Sequence, residues 1–166
     1  MDEQELRGRC RDLLRELDVQ PPLDVADMAW RLGQLRGRPV KLEPRALERG
    51  GSFGCVFPMP SQDLLIYQSA ATAAYRNHIV FHELTHLFLG HVDRSNELRV
   101  ALVCGSLGEQ TKQGTLYDSP PEWEAETAAT IFSEWAATVT AAAGVPEGDG
   151  AAQRLGLALG DTRGWG

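Results

Sequence analysis

The first third of the chain has the apolar spacing of two amphipathic helices. Over residues 2–17, apolar side chains recur every three or four positions opposite a charged face, which predicts the first helix. A second helix is predicted over residues 25–32, with Asp24 as its N-cap and Gly33 placed to end it. The residues of this second helix expected to face the core are Met28, Trp30 and Leu32.

The next segment has the pattern of a small β-sheet. Residues 38–42 are flanked by prolines and read as a short edge strand. Residues 52–57 and 64–67 form two clearer strands, and the residues between them are rich in turn formers. Strands this close in sequence usually pair as a hairpin, so a small antiparallel sheet is expected.

The second half of the chain is dominated by two predicted helices. The apolar run over residues 70–90 indicates one buried helix, and residues 122–142 form another, opened by two prolines. Residues 105–119 have no periodicity and read as a long loop, whereas residues 146–166 form a Gly-rich tail. The element order predicts a single α+β domain over residues 1–145, with the sheet packed on a helical bundle.

A metal-ligating motif lies inside the buried third helix. His82 and His86 are four residues apart, so both imidazoles lie on one helix face and can point a ring nitrogen at the same ion. Glu83 is one step round the helix, close enough to reach a water on that ion but badly placed to be a third ligand. This is the H-E-x-x-H arrangement of zinc hydrolases, in which the glutamate is the general base.

Burial strengthens the metal interpretation over its alternative, a structural cluster satisfied by neighbouring side chains. Unpaired polar groups in a buried helix cost several kcal/mol, and a metal ion would satisfy two histidines directly. A catalytic zinc takes three protein ligands and leaves one position for water. His91 does not fit as the third ligand, because its spacing of five from His86 does not match the extended H-E-x-x-H-x-x-G-x-x-H motif.

The last helix offers carboxylates for the third position. Glu122 and Glu126 are four residues apart and share a face, whereas Glu124 is expected to point elsewhere. One of the pair could ligate the metal while the other orients a ligand imidazole, and residue spacing leaves the choice open. The small residues that would allow this helix to approach the motif helix closely are Ala125, Ala128 and Ala129.

Two stretches together resemble the ImmA/IrrE family of metallopeptidases. The first, residues 82–91, reads HELTHLFLGH and is similar to the family pattern H-E-[LI]-x-H-x-x-L-x-H. The second, residues 122–132, reads EWEAETAATIF and is similar to the family helix E-x-E-A-N-x-F-A-x-x-L-L, with Glu126 where the family usually has Asn. The similarity covers roughly residues 20–140 and implies a minimal zincin-like metallopeptidase domain.

The resemblance implies a function and assigns roles. It makes Glu122 the third ligand beside His82 and His86, with one Zn²⁺ per chain. It places Glu126 where its carboxylate would orient a ligand imidazole, or makes it the alternative ligand. It implies a zinc-dependent endopeptidase in which metal-activated water attacks a peptide bond, with Glu83 as the catalytic base. The implied substrate is a bacterial regulatory protein, such as a DNA-binding helix-turn-helix repressor whose cleavage releases a stress response.

Composition narrows the partners and the compartment. The net charge of −7 argues against direct nucleic-acid binding, and the longest apolar run is too short to span a membrane. The acidic N-terminus predicts no signal peptide, so a cytoplasmic protein is expected. The three cysteines have no ligand-like or disulfide-like spacing and are expected to be buried free thiols: Cys10, Cys55 and Cys104.

Two other functions compete with hydrolysis. The chain could be a non-catalytic zinc-binding interaction module, including one component of a toxin–antitoxin pair, or a structural zinc domain with no open coordination position. Glu83 favours the enzyme, because a purely structural site has no use for a general base. By residue type alone, Tyr75, His78 and Tyr117 are candidates to steady the oxyanion, although a solvated role is the stronger expectation for His78.

Overall fold

A computed structural model describes residues 1–47, 53–92 and 119–142, with the side chains of the last helix described as far as residue 137. Within these residues the chain forms four helices and a three-stranded mixed sheet, consistent with the expected α+β class. The predicted loop over residues 105–119 (apart from Ser119) and the predicted tail over 146–166 lie outside the described residues, as do Tyr117 and Cys104. The elements, in chain order, are α1 (Glu3–Glu16), α2 (Val25–Leu35), β1 (Val40–Arg45), β2 (Gly54–Pro58), β3 (Asp63–Gln68), α3 (Ala73–Phe88) and α4 (Pro120–Ala142).

The sheet is mixed rather than antiparallel, which corrects the sequence prediction. β2 and β3 pair antiparallel, with Val56 opposite Leu65, as the short turn between them predicted. β1 does not pair with β2, its neighbour in sequence, but with the other side of β3, and it runs parallel to β3. Turn residues specify how two adjacent strands pair, but they carry no information about which edge a third strand joins.

The first two helices each begin at an aspartate N-cap, of which the sequence analysis predicted Asp24. The Asp2 carboxylate accepts a hydrogen bond from the Glu5 N–H at 2.8 Å, and the Asp24 carboxylate accepts one from the Asp27 N–H at 2.8 Å. Each bond satisfies one of the N–H groups that an α-helix leaves unpaired at its start. Because acidic caps also complement the helix dipole, these two positions set the start of both helices.

The end and the core face of α2 differ from the prediction. Gly33 lies inside the helix rather than at its end. A Cβ at this position would stand 2.9 Å from the backbone nitrogen of Val40, so the glycine lets the chain return close across the helix. The turn is made instead by Gly37, whose φ is +65°. Trp30 was predicted to face the core and is 60% exposed, whereas Met28 and Leu32 are buried as expected.

The core lies where α3 and α4 pack together. Phe81 of α3 meets Phe132 of α4 with ring centroids 5.7 Å apart, and both rings are buried. Residues with the smallest side chains let the two helices approach, and they are fully buried, as the sequence predicted: Ala125, Ala128 and Ala129. The close approach brings the first turns of α4 against the histidine face of α3.

A closed ionic cluster ties the sheet to the helices. Asp63, at the start of β3, is completely buried and accepts hydrogen bonds from Arg38 at 2.8 Å and Arg36 at 3.3 Å. Arg36 also donates to the carbonyl oxygen of Leu87 at 2.7 Å, which links this cluster to the end of α3. A buried carboxylate is tolerated here because two guanidinium groups neutralise and satisfy it.

The prediction of three free cysteines is wrong for one of them. Cys10 is a buried free thiol, and burial raises its pKa to about 12 against the weaker opposing effect of the nearby arginines. Cys55 in β2 is disulfide-bonded. Sequence spacing did not indicate this bond, because disulfide pairing depends on the separation of the two residues in space.

Candidate metal centre

One face of α3 presents two imidazoles to α4. His82 and His86 lie one helical turn apart, and their Nε2 atoms are 3.1 Å from each other. Their side chains are only 16% and 10% exposed. The other faces of α3 hold buried apolar residues, among them Val80 and Leu87, so the helix cannot rotate without exposing its core face.

Glu122 completes a three-donor group. Its carboxylate oxygens lie 3.3 Å from Nε2 of His82 and 3.5 Å from Nε2 of His86, and its side chain is 27% exposed. The residue stands in the first turn of α4, three positions before the buried Ala125 that packs in the core. Two nitrogens and a carboxylate from helices distant in sequence therefore converge on one point.

The three donors fit a divalent ion. Around a tetrahedral zinc with bonds of 2.0–2.1 Å, two ligand atoms are expected about 3.3 Å apart. The two Nε2 atoms are 3.1 Å apart, and each has a different oxygen of Glu122 beside it, at 3.3 Å from His82 and 3.5 Å from His86. The group formed by His82, His86 and Glu122 could accordingly hold a metal ion. These are the three ligands that the family resemblance implied.

Glu83 lies beside this group, almost fully enclosed. It is 8% exposed, and Gly54 of β2 packs so tightly against it that a Cβ on Gly54 would stand 2.9 Å from Oε1 of Glu83. Burial raises the pKa of the Glu83 carboxyl to about 7; the positive charge of His82 opposes that rise and the negative charge of Glu122 adds to it. A carboxyl that titrates near neutral pH is suited to taking and releasing a proton.

The charges of the three donors shift one another's pKa values. Burial lowers the pKa of His86 to about 4, although the charge of Glu122 opposes this. Burial also lowers the pKa of His82, but its hydrogen bond to Glu122 and the charges of Glu83, Glu122 and Glu126 outweigh burial and raise it overall. For Glu122 burial acts upward, and the contacts with the histidines lower the pKa overall. His86 and Glu122 are thus in the deprotonated form that a metal requires.

Glu126, the alternative ligand, approaches the other side of a ligand ring. Its carboxylate is 3.4 Å from Nδ1 of His82 and 3.2 Å from Nε2 of His78. From this position it can accept a hydrogen bond from Nδ1–H of His82 and leave Nε2 free for a metal. The expectation that His78 is a solvated residue is wrong, because its side chain is 22% exposed and bonded to Glu126.

His91 and Glu124 form a contact that the sequence reasoning missed. Nδ1 of His91 lies 3.1 Å from Nδ1 of His86, and Nε2 of His91 lies 3.0 Å from a carboxylate oxygen of Glu124. Spacing excluded His91 as a ligand, and Glu124 was expected to point elsewhere. The signal available in the sequence was Gly90, since a helix-ending glycine folds the next residue back over the last turn.

All four histidines of the chain therefore belong to one connected group with Glu122, Glu124 and Glu126 of α4. Tyr75, a candidate by residue type, is 42% exposed and packs against Phe53 and His78, with ring centroids 5.4 and 6.3 Å away. Trp123, beside Glu122 in α4, is 40% exposed.

Within the described part of the chain, no helix is both long enough and apolar enough to cross a membrane. Comparisons of the chain with protein-family models, with curated proteins and with solved structures found no match. The residues of the site are therefore the basis on which a function can be argued.

Proposed function

We propose that this protein is a zinc-dependent endopeptidase. The observation that carries the proposal is the placement of Glu83, an enclosed carboxyl with a pKa of about 7, beside three donors spaced for one ion. A structural metal site has no need of such a group. The donor set of two imidazoles and one carboxylate is that of known catalytic zinc sites, which leave a coordination position open.

In this proposal each residue has one task. His82 and His86, through Nε2, and a carboxylate oxygen of Glu122 would hold the ion, and Glu126 would orient His82 through Nδ1. When bound, zinc would supply Lewis acidity, which polarises the scissile carbonyl and lowers the pKa of water. The Glu83 carboxylate removes a proton from the attacking water and delivers it to the nitrogen of the leaving amine. The apolar core of α3 and α4 shields Glu83 and His86 from bulk water.

The substrate is proposed from the sequence resemblance. The motifs around His82 and Glu122 are similar to those of a family whose substrates are regulatory proteins, so we propose a cytoplasmic, helix-turn-helix repressor-like protein as the substrate. The chain's net charge of −7 supports recognition of a protein rather than of DNA.

Cleavage by matched variants tests the proposal. The zinc-loaded protein is incubated with a proteome-derived peptide library and with the product of a neighbouring repressor gene, and new termini are read by mass spectrometry. We expect cleavage by the wild type, loss of cleavage with a chelator, and a loss of roughly 10²–10⁴-fold in rate in Glu83→Gln, the range typical of a removed general base. Glu83→Gln should still bind one zinc per chain.

A control on α4 separates charge effects from catalysis. Glu134 of α4 lies on the surface, 3.5 Å from Arg7 and away from the three donors, so Glu134→Gln should cleave like the wild type. Equal cleavage by wild type and Glu83→Gln would contradict the proposal. Zinc binding without cleavage of either substrate would favour the alternative function, a zinc-binding interaction module or toxin–antitoxin component.

A further inference from the structure

A metal-binding imidazole must have the correct tautomer. For Nε2 of His86 to present a lone pair to an ion, the ring proton must sit on Nδ1. A buried Nδ1–H needs an acceptor, and the side chain of His86 is only 10% exposed. Whatever accepts this hydrogen bond therefore decides whether His86 can serve as a ligand.

The acceptor beside His86 is another histidine. Nδ1 of His91 stands 3.1 Å from Nδ1 of His86, and in such a pair one nitrogen donates and the other accepts. Glu124 indicates the direction, because one of its carboxylate oxygens, an acceptor, lies 3.0 Å from Nε2 of His91. A neutral His91 that donates to Glu124 carries its proton on Nε2, which leaves its Nδ1 as an acceptor for His86.

The turn after α3 fixes His91 in this place. Gly90 adopts φ +74°, and the N–H of His91 donates to the carbonyl oxygen of His86 at 2.9 Å. This is the six-to-one bond of a Schellman helix end, which folds the residue after the glycine back over the last turn. The side chains of His91 and Glu124 are 11% and 15% exposed, so little water competes for their hydrogen bonds.

We propose that His91 and Glu124 are positioning residues for the metal site: together they fix the tautomer and the orientation of His86. The chain of hydrogen bonds runs from Nδ1–H of His86 to His91, and from Nε2–H of His91 to Glu124. The first turn of α4 thus supplies a ligand, Glu122, and two residues later the carboxylate that orients the opposite ligand. This inference rests on the metal site of the proposed function but not on peptide hydrolysis.

Zinc affinity gives the first test, by competition with a chromophoric chelator in the absence of peptide. His91→Phe keeps a ring but removes both nitrogens, and zinc should bind roughly 10–100-fold more weakly, as for other lost partners of metal-bound histidines. His91→Gln should restore most of the affinity, because its amide oxygen can accept from His86 while its NH₂ group donates to Glu124. Glu134→Gln, the control on α4, should bind zinc as the wild type does.

The ring nitrogens give the second test. In the zinc-loaded protein labelled with ¹⁵N-histidine, His91 should be neutral with its proton on Nε2, and His86 should carry its proton on Nδ1. A merely structural role for His91 would lower the melting temperature of His91→Phe without this tautomer pattern, so melting curves of the zinc-free variants are recorded alongside.

The outcomes separate this inference from the proposed function. Unchanged zinc affinity in His91→Phe, a proton on Nδ1 of His91, or direct binding of His91 to zinc would each overturn the positioning role. None of these results would affect peptide cleavage by Glu83, which is read in a separate assay. Conversely, a protein that binds zinc, shows the expected tautomers and cleaves nothing would support the positioning role and contradict the endopeptidase.

Discussion

The protein buries two polar clusters of opposite kinds. At the start of β3, the buried carboxylate of Asp63 meets the guanidinium groups of Arg36 and Arg38, so its negative charge is balanced by positive groups of the chain itself. Between α3 and α4, the Nε2 atoms of His82 and His86 and the carboxylate of Glu122 lie 3.1–3.5 Å apart, and as metal ligands all three would present lone pairs. The carboxylate of the first cluster has its counter-charge within the chain, whereas the second cluster could hold a metal ion.

This difference separates a structural ion cluster from a candidate binding site. A closed cluster contains its own counter-charge and mainly stabilises the fold, whereas a group of convergent acceptors gains most from a ligand. Burial alone does not distinguish them, because both are largely shielded from water. The clusters differ in the charges they contain and in where their donor atoms point. Substitutions at each cluster should therefore have different consequences.

The largest effect on stability is expected at the closed cluster. Asp63→Ala leaves two guanidinium groups without their carboxylate and should lower the free energy of unfolding by about 3 kcal/mol, the lower end for a broken buried pair because both arginines are partly exposed. Urea unfolding of the zinc-free and the zinc-loaded protein measures this loss, which should be equal in both. A larger loss in the zinc-loaded form would show that the two clusters are coupled.

The protonation of Glu83 should make stability depend on pH. Below about pH 4.5 the carboxyl is protonated in both states; as the pH rises to about 7, the unfolded state ionises first, so the folded state loses stability. Glu83→Gln lacks this loss, and zinc-free Glu83→Gln should gain up to about 3 kcal/mol relative to wild type between pH 4.5 and pH 7. His86, whose pKa is lowered without a contribution from Glu83, contributes equally to both proteins, whereas His82 loses in Glu83→Gln the part of its upward pKa shift that the Glu83 charge supplies. Urea unfolding across this range is the measurement, and a constant difference would contradict the raised pKa.

Zinc should stabilise the protein only through the group formed by His82, His86 and Glu122. At free zinc one hundred times the dissociation constant, the wild type should gain about 2.7 kcal/mol in unfolding free energy. His86→Ala removes one of the three donors and should lose this gain, whereas Glu134→Gln should keep it. Thermal unfolding with and without zinc measures both variants. A gain retained in His86→Ala would place zinc elsewhere in the chain.

A methyl group at Gly54 of β2 should disturb Glu83, which lies beside the three donors. The added Cβ would stand 2.5 Å from Cγ2 of Ile79 and 2.9 Å from Oε1 of Glu83, so Gly54→Ala should cost about 1–2 kcal/mol and displace the Glu83 carboxylate. Peptide cleavage should fall while zinc affinity is retained. The matched control is Gly8→Ala: no atom lies within 4 Å of that Cβ, and the helix should become more stable by up to about 1 kcal/mol.

Local patterns in the sequence predicted the elements and the central motif well. Apolar periodicity placed α1 and α3 close to their observed bounds, and turn formers predicted the antiparallel pairing of β2 and β3. The i,i+4 spacing of His82 and His86 predicted that both imidazoles lie on one face of α3, because a helix has fixed geometry.

Features that depend on packing between distant segments could not be predicted from local sequence patterns. The parallel pairing of β1, the exposure of Trp30 and the disulfide of Cys55 all depend on which surfaces meet in space. The contact of His91 with His86 likewise needed the turn at Gly90, and the partner Glu124 comes from another helix. Whether Glu122 or Glu126 faces the Nε2 atoms was decided by how α4 rests on α3, which helix spacing alone left open.

The donors contributed by α3 and α4 have a mechanical consequence. An ion held by His86 and Glu122 joins two helices that are separated along the chain, so it acts as a reversible cross-link that closes a long loop. Unlike a disulfide, which also constrains the unfolded chain, such a link exists only in the folded protein and can be removed by a chelator. The rate at which the protein releases its ion would then report how often α4 separates from α3.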